Sequence, residues 1–185
     1  MITIIYAHPW NESFNHALLQ ATTEKLSQEN RQYRIIDLYE DDFNPALTAK
    51  DLASYSKGGT TDPLVADYAH ALNKTDELIF IFPIWWGGLP AIVKGFFDKV
   101  LLKDGAFSYS PNGEMIAGLN ISRAIVATTS QGPTEAYQAY FEQYLIPYIL
   151  NPIGVHNVKW INCPQTSHGP AKNRDLFMLQ LLTIV

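Results

Sequence analysis

The chain alternates short apolar runs with longer stretches in which apolar residues recur at helical spacing. Continuous apolar runs of five to seven residues are typical of strands buried on both faces of a parallel sheet. Such runs at residues 2–7 and 78–82, together with the more mixed segments 33–38, 121–127 and 155–161, predict five strands. The stretches of helical period predict five helices, at residues 15–29, 64–74, 89–101, 134–150 and 171–182, with Pro147 expected to kink the fourth.

This alternation of strands and helices predicts the α/β class, as a three-layer sandwich with helices on both faces of a parallel sheet. Long segments precede and follow the very apolar third strand, which favours the flavodoxin-like strand order 2-1-3-4-5. The six-stranded dinucleotide-binding fold is disfavoured, because no Gly-x-Gly-x-x-Gly follows the first strand. No linker or repeat divides the chain, so residues 1–185 are predicted to form a single domain.

Composition narrows the class of protein. The 185 residues are 47% hydrophobic and 17% charged, which excludes a disordered chain. A formal charge of −5 with scattered basic residues argues against a nucleic-acid-binding surface. Cys163 is the only cysteine, and the five histidines lack metal-ligand spacing, so neither a disulfide nor a metal is expected. With neither a signal peptide nor an apolar span long enough to insert into a membrane, a cytoplasmic location is expected.

Three predicted loops follow strands one, three and four, where an open α/β sheet binds its ligands. The first loop, residues 8–15, leads into a helix whose free amides and dipole favour a phosphate group. His8, Ser13 and Asn15 add polar groups there. The alternative is that Ser13 or Asn15 simply caps the helix.

The second and third loops suit a planar ring. Trp85 and Trp86 lie on a tight Gly87-Gly88 turn, where they offer aromatic surface; the alternative is that they cover the core. The third loop, residues 128–133, offers backbone donors, and Tyr137 follows near the start of the next helix. A phosphate site beside a flat apolar slot fits the mononucleotide portion of a flavin.

These residues resemble a known family. The segment 82–100, Phe-Pro-Ile-Trp-Trp-Gly-Gly-Leu-Pro-Ala-Ile-Val-Lys-Gly-Phe-Phe-Asp-Lys-Val, is similar to the signature of the NAD(P)H:quinone oxidoreductases (the DT-diaphorase, flavodoxin-2 group). Three further matches are His8 with Ser13-Phe14-Asn15, Asp37-Leu38-Tyr39 with Phe43-Asn44-Pro45, and Thr128-Thr129. The resemblance extends from residue 1 to about residue 170.

The resemblance implies a flavoenzyme that passes hydride from NAD(P)H to quinones or to similar acceptors such as azo and nitroaromatic compounds. It implies FAD as the cofactor, with FMN as the alternative, and the segment 55–59 (Tyr-Ser-Lys-Gly-Gly) resembles the branch that uses FAD. Tyr137 matches the active-site tyrosine of the family. The implied cofactor-binding residues are His8, Ser13, Phe14, Asn15, Pro83, Ile84, Trp85, Trp86, Thr128, Thr129 and Gly132.

Three positions depart from the family pattern. Gly87 replaces an aromatic residue, and Trp85 stands where the best-known members have glutamine. Gln143 occupies the place of the catalytic histidine that follows the tyrosine, so Tyr137 is expected to assist proton transfer rather than to govern it.

The predicted helix 134–150 is apolar on more than one face, which indicates a partner surface. Relatives also build each active site from two subunits, so a homodimer is expected. Two other functions remain open, namely a flavin-bearing regulatory subunit of a potassium-efflux transporter and a flavodoxin-like electron carrier. The aromatic loop at Trp85 and Trp86 favours an enzyme with a substrate slot over a carrier.

Overall fold

The computed structural model describes residues 1–55 and 57–185. Five parallel strands form one sheet in the order β2-β1-β3-β6-β7. Because β4 and β5 pair separately as a hairpin, this order is the predicted 2-1-3-4-5. The sheet strands are β1 (Ile2–Tyr6), β2 (Tyr33–Asp37), β3 (Glu77–Pro83), β6 (Arg123–Thr129) and β7 (Val158–Cys163), and the hairpin strands are β4 (Phe107–Tyr109) and β5 (Met115–Ala117).

Helices cover both faces of the sheet, as the strand pattern predicts. One core cluster joins Ile4, Ile79 and Ile125 to the first and last helices, and the other joins Ile5, Phe80 and Val126 to the middle helices. Successive residues of each strand therefore contribute to opposite cores. The helices are α1 (Phe14–Gln28), α2 (Ala49–Tyr55), α3 (Pro63–Asn73), α4 (Ala91–Val100), α5 (Glu135–Tyr140) and α6 (Ala171–Ile184). Within the described part of the chain, no helix is both long and apolar enough to cross a membrane.

The last two sheet strands begin later than the apolar pattern predicts. Ile121 and Val155 form only an isolated bridge, and β7 starts at Val158. Asn157 has φ +45°, a left-handed conformation that interrupts the extended run. The prediction of a strand at residues 155–161 is therefore wrong at both ends, because the strand begins three residues later and ends two residues later. Just before the two strands, Asn157 Nδ2 donates to the Ser122 carbonyl over 2.9 Å.

The predicted helix 134–150 is α-helical only to Tyr140, and residues Phe141–Leu150 form a π-helical segment. Pro147 lies inside that segment. A proline in an α-helix removes one hydrogen bond and its ring clashes with the carbonyl four residues earlier. The proline that was expected to kink the helix therefore lies where the structure has π-helical rather than α-helical turns. Phe141 begins the segment and stacks on Trp160 with centroids 4.8 Å apart.

The family signature has a packing role at α4. A Cβ on Gly95 would lie 2.3 Å from Pro45 Cβ, so only glycine allows this close approach. One turn further on, the buried Lys99 ammonium donates to the Asn44 carbonyl at 3.0 Å and to Asp62 Oδ2 at 3.2 Å. These contacts fix the segment after β2 against α4, below the loop that follows β3.

Candidate functional site

The three predicted loops meet at the carboxyl edge of the sheet. Pro83, at the end of β3, pairs in register with Thr129, at the end of β6, and the Ile84 amide donates to the Thr129 carbonyl over 2.7 Å. Beside this junction is an open cleft of about 670 Å³. Its lining residues are Ile84, Trp85, Trp86, Gly87, Gln131 and Tyr137.

The first loop ends in a capped helix. Ser13 is the N-cap of α1, and its Oγ accepts a hydrogen bond from the His16 amide over 3.1 Å. The capping role that the sequence left open for Ser13 is therefore confirmed. The amides of Phe14 and Asn15 precede the first intrahelical bond, so they remain available to an anion.

Asn15 connects the first loop to the third. Its buried Nδ2 donates to Thr129 Oγ1 over 2.9 Å. Its Oδ1 is buried and has no hydrogen-bond partner among the described residues. A free acceptor of this kind, at the start of a helix beside an open cleft, is one that a ligand donor can satisfy.

His8 is held as a neutral imidazole. The Trp10 amide donates to His8 Nδ1 over 3.1 Å, which leaves the proton of the neutral ring on Nε2. Burial lowers the pKa of His8 below its ordinary value of 6.5. The ring lies edge-on to Trp85, with centroids 6.2 Å apart. His8 therefore offers the site one N–H donor rather than a positive charge at neutral pH.

Trp85 and Trp86 form part of a two-residue hairpin turn. Trp85 and Gly88 exchange backbone hydrogen bonds of 3.2 Å, and the central residues have φ values of +50° at Trp86 and +85° at Gly87. Positive φ at both central positions defines a type I′ turn. A bulky residue rarely adopts this conformation, and its cost is about 1–3 kcal/mol.

The exposure of these rings decides between the two predicted roles. The Trp86 side chain is completely exposed and Trp85 is 40% exposed. Covering the core is therefore the wrong interpretation for these tryptophans. The turn holds Trp86 in a strained backbone conformation with its ring exposed at the mouth of the cleft, as expected of a residue that contacts a ligand.

The third loop uses its two threonines differently. Thr128 is fully buried, accepts a hydrogen bond from Trp160 Nε1 and donates one to Asn162 Oδ1, both over 2.9 Å. Its side chain is therefore engaged within the protein, so the predicted place of Thr128 in the cofactor site rests on its backbone, while neighbouring strand residues point to opposite faces. Thr129 points the other way and accepts from Asn15. Asn162 was missed because β7 was predicted to end before it.

Tyr137 lies directly against the third loop. A Cβ on Gly132 would be 2.4 Å from the Tyr137 hydroxyl oxygen, so the absence of a side chain there makes room for the hydroxyl. The amides of Gln131 and Gly132 have no protein acceptor among the described residues. The loop therefore presents free backbone donors beside one phenolic hydroxyl.

Tyr140 is a second tyrosine that the sequence reasoning did not assign to the site. Its Cζ would lie 3.7 Å from a Cβ on Gly88, so the ring packs against the tryptophan turn. Burial raises the pKa of Tyr140. Its place three residues after Tyr137, on the same side of a helix, was the available signal. Gln143 is exposed on the π-helical segment.

Comparison with known proteins gives consistent matches. The Flavodoxin_2 family, described as a flavodoxin-like fold, matches residues 1–178. A Haemophilus influenzae protein named uncharacterized NAD(P)H oxidoreductase is 30% identical over 85% of this chain and 80% of its own length.

NAD(P)H dehydrogenase [quinone] 1 of Rattus norvegicus is 32% identical, but the match spans 58% of this chain and only 45% of that relative. Among solved structures, the NAD(P)H:quinone oxidoreductase of Methanothermobacter marburgensis superposes with a TM-score of 0.88 at 25% identity, covering 98% of this chain and 95% of that one.

Proposed function

The chain belongs to the Flavodoxin_2 family, among relatives that are NAD(P)H:quinone oxidoreductases, and on that premise we propose that it is a flavin-dependent enzyme transferring hydride from NAD(P)H to quinones or similar acceptors. It is thus an oxidoreductase of the NAD(P)H dehydrogenase (quinone) type. The observation that carries the proposal is the exposed Trp86 ring at a cleft bordered by free backbone donors. Among the described residues, no packing contact accounts for an exposed tryptophan ring on a residue with a strained backbone conformation.

The residues present fit a flavin. The amides of Phe14 and Asn15 and the His8 Nε2–H suit the phosphate, and the unpartnered Asn15 Oδ1 suits a hydroxyl donor of the ribityl chain. The cleft between Trp86 and Gln131 suits the ring system. The residues proposed to hold the cofactor are His8, Ser13, Phe14, Asn15, Pro83, Ile84, Trp85, Trp86, Thr129 and Gly132 directly, and Thr128 through the loop.

These contacts involve the part of the cofactor that FAD and FMN share. We propose FAD, on the resemblance of residues 55–59 to the FAD-using branch, of which Ser56 lies outside the described residues. Release of the cofactor by heat, followed by chromatography against both standards, identifies it. Recovery of FMN alone contradicts the choice of FAD and leaves the remaining assignment intact.

A bound flavin supplies the hydride acceptor and donor between the two substrates. The cleft is a single open space, so NAD(P)H and the acceptor occupy it in turn, which predicts ping-pong kinetics. The amides of Gln131 and Gly132 would stabilise negative charge that develops on a bound flavin, without reorganising. The Tyr137 hydroxyl adds one donor beside Gly132, and the exposed Gln143 supplies no histidine relay.

We further propose that the enzyme is a homodimer. Aromatic and apolar side chains are exposed along the π-helical segment and on the hairpin β4–β5, and a monomer seldom leaves so many together. They are Tyr144, Tyr148, Tyr109, Met115 and Ile116, between 46% and 70% exposed. An apolar groove of about 510 Å³ lies between these elements and is lined by Tyr148, Tyr109 and Met115 among others.

Steady-state kinetics test the function. NADH or NADPH is varied at several fixed concentrations of a soluble quinone, and parallel double-reciprocal lines are expected. Converging lines contradict the shared cleft but not the activity. Absence of turnover with every soluble quinone, in protein that retains flavin, contradicts the enzyme and supports an electron carrier or a regulatory subunit.

A further inference from the structure

We propose that Asn162 is a positioning residue of this site, which fixes the loop 130–134 through a directional series of hydrogen bonds running from the Trp160 indole to the Gly132 carbonyl. Its effect on the conformation of the loop is independent of any cofactor. Its effect on a bound flavin rests on the proposed function.

The direction of this series follows from the groups themselves. An indole N–H only donates, so Thr128 Oγ1 must accept from Trp160 Nε1 at 2.9 Å. The single hydroxyl hydrogen of Thr128 then has two acceptors in reach, and Asn162 Oδ1 at 2.9 Å is nearer than the Ile161 carbonyl at 3.3 Å. This fixes the orientation of the Asn162 carboxamide, with Oδ1 toward Thr128 and Nδ2 toward the loop.

The second half of the series reaches the loop. Asn162 Nδ2 donates to Ser130 Oγ at 3.0 Å and to Thr134 Oγ1 at 3.1 Å, which uses both of its hydrogens. Because Ser130 Oγ accepts that bond, its own hydrogen is available, and it donates to the Gly132 carbonyl at 2.9 Å. The side chain of Thr134 is engaged here and makes no capping hydrogen bond to α5, although Thr134 is the N-cap residue of that helix.

Asn162 therefore holds the loop 130–134 at both of its ends, through Ser130 and Thr134. The Ser130 backbone is also anchored, since its amide donates to the Cys163 carbonyl at 2.9 Å and its carbonyl accepts from the Thr166 amide at 3.0 Å. The Gly132 carbonyl is directed to the Ser130 side chain. The amides of Gln131 and Gly132 are left as donors that find no acceptor in the part of the chain that the structure describes.

Only a carboxamide offers an acceptor to Thr128 and, on the same group, donors to Ser130 and Thr134. Asn162→Asp keeps the size of the side chain and the acceptor for Thr128, but its second oxygen accepts from Ser130 instead of donating to it. The Ser130 hydroxyl then turns toward the carboxylate, and the Gly132 carbonyl loses its donor. Ser130→Ala removes the same donor without adding charge. Asn157→Asp is the matched control, because Asn157 makes its side-chain bond to Ser122, at the start of β7 and outside the site.

The first measurement uses the protein freed of any cofactor and needs no activity. Backbone ¹⁵N relaxation is expected to give order parameters of about 0.85 for Gln131 and Gly132 in the unmodified chain and in Asn157→Asp. Values below about 0.6 are expected in both Asn162→Asp and Ser130→Ala. Equal order parameters in all four proteins overturn the proposal, whether or not the protein binds flavin.

The second measurement is the midpoint potential of the bound flavin. When the loop no longer directs its amides, the preference of the site for reduced over oxidised flavin is expected to fall about tenfold. This loss lowers the two-electron midpoint potential by about 30 mV. A shift in Asn162→Asp but none in Ser130→Ala assigns the effect to the added charge and overturns the proposal. Failure of the unmodified chain to bind flavin contradicts the proposed function, and the relaxation measurement still decides the role of Asn162.

Discussion

Replacement of Gly132 by alanine tests whether the Tyr137 hydroxyl acts from the place where the structure puts it. A Cβ at this position lies 2.4 Å from the hydroxyl oxygen and 3.1 Å from Cζ. Ordinary carbon–oxygen contacts are about 3.3–3.6 Å, so the hydroxyl must move by about 1 Å. Gly132 has no positive φ, so alanine introduces no backbone strain there.

The expected result is a specific loss of rate. Removal of a central donor costs about 10²- to 10³-fold, but Tyr137 is one donor beside two backbone amides and without a histidine relay. We therefore expect Tyr137→Phe to slow flavin reduction by about tenfold, equivalent to about 1.4 kcal/mol. Gly132→Ala is expected to cause a similar loss, because it displaces the same hydroxyl.

A double-mutant cycle separates this effect from general damage to the loop. Stopped-flow bleaching of the flavin by NAD(P)H is measured for both single variants and for the double variant. The alanine is expected to add little once the hydroxyl has been removed. Gly105→Ala is the control, since its Cβ would make only ordinary contacts, with the Leu102 carbonyl at 3.5 Å and Asn73 Nδ2 at 4.0 Å. Full additivity, or an unchanged rate in Gly132→Ala, refutes the reasoning.

Three further outcomes are expected. Ser13→Glu places a carboxylate beside the proposed phosphate and should abolish flavin retention during purification, whereas Ser13→Ala removes a helix cap worth about 1 kcal/mol of unfolding free energy and one proposed cofactor contact, and should only weaken retention; a yellow, folded Ser13→Glu protein contradicts the phosphate site. Burial lowers the pKa of His8, so the unfolded state binds the proton more readily and unfolding free energy should fall as pH drops below 6.5; an unaltered pH dependence in His8→Gln would show that His8 is not responsible. Tyr148→Glu should convert the proposed dimer to a monomer in sedimentation at micromolar concentration, and a monomeric unmodified chain with bound flavin refutes the dimer.

The sheet order followed from the sequence because the central strands β1 and β3 are buried on both faces and therefore read as continuous apolar runs. The aromatic turn was also visible, since the Gly87-Gly88 pair directly follows two tryptophans and a buried strand. The conformation of the turn was not, because positive φ at Trp86 contradicts the intrinsic preference of a bulky residue. Local rules fail most often at such strained positions.

The hydrogen-bond network around Asn162 could not be predicted from the sequence, for a different reason. Thr128 and Asn162 are 34 residues apart and meet only because β6 and β7 pair in that register. Alternation along a strand nevertheless indicated that Thr128 and Thr129 cannot both face one surface. Pro147 indicated an irregularity in the predicted helix 134–150, but the sequence did not indicate the π-helical turns of Phe141–Leu150.

The central claim is that this cleft accepts hydride from NAD(P)H and delivers it to a small acceptor. An anaerobic titration of the purified flavin-loaded protein tests it most directly. One equivalent of NADH or NADPH per flavin is expected to bleach the flavin absorbance, and one equivalent of a soluble quinone is expected to restore it without any partner protein. Failure of both nicotinamides to bleach a bound flavin would contradict the account.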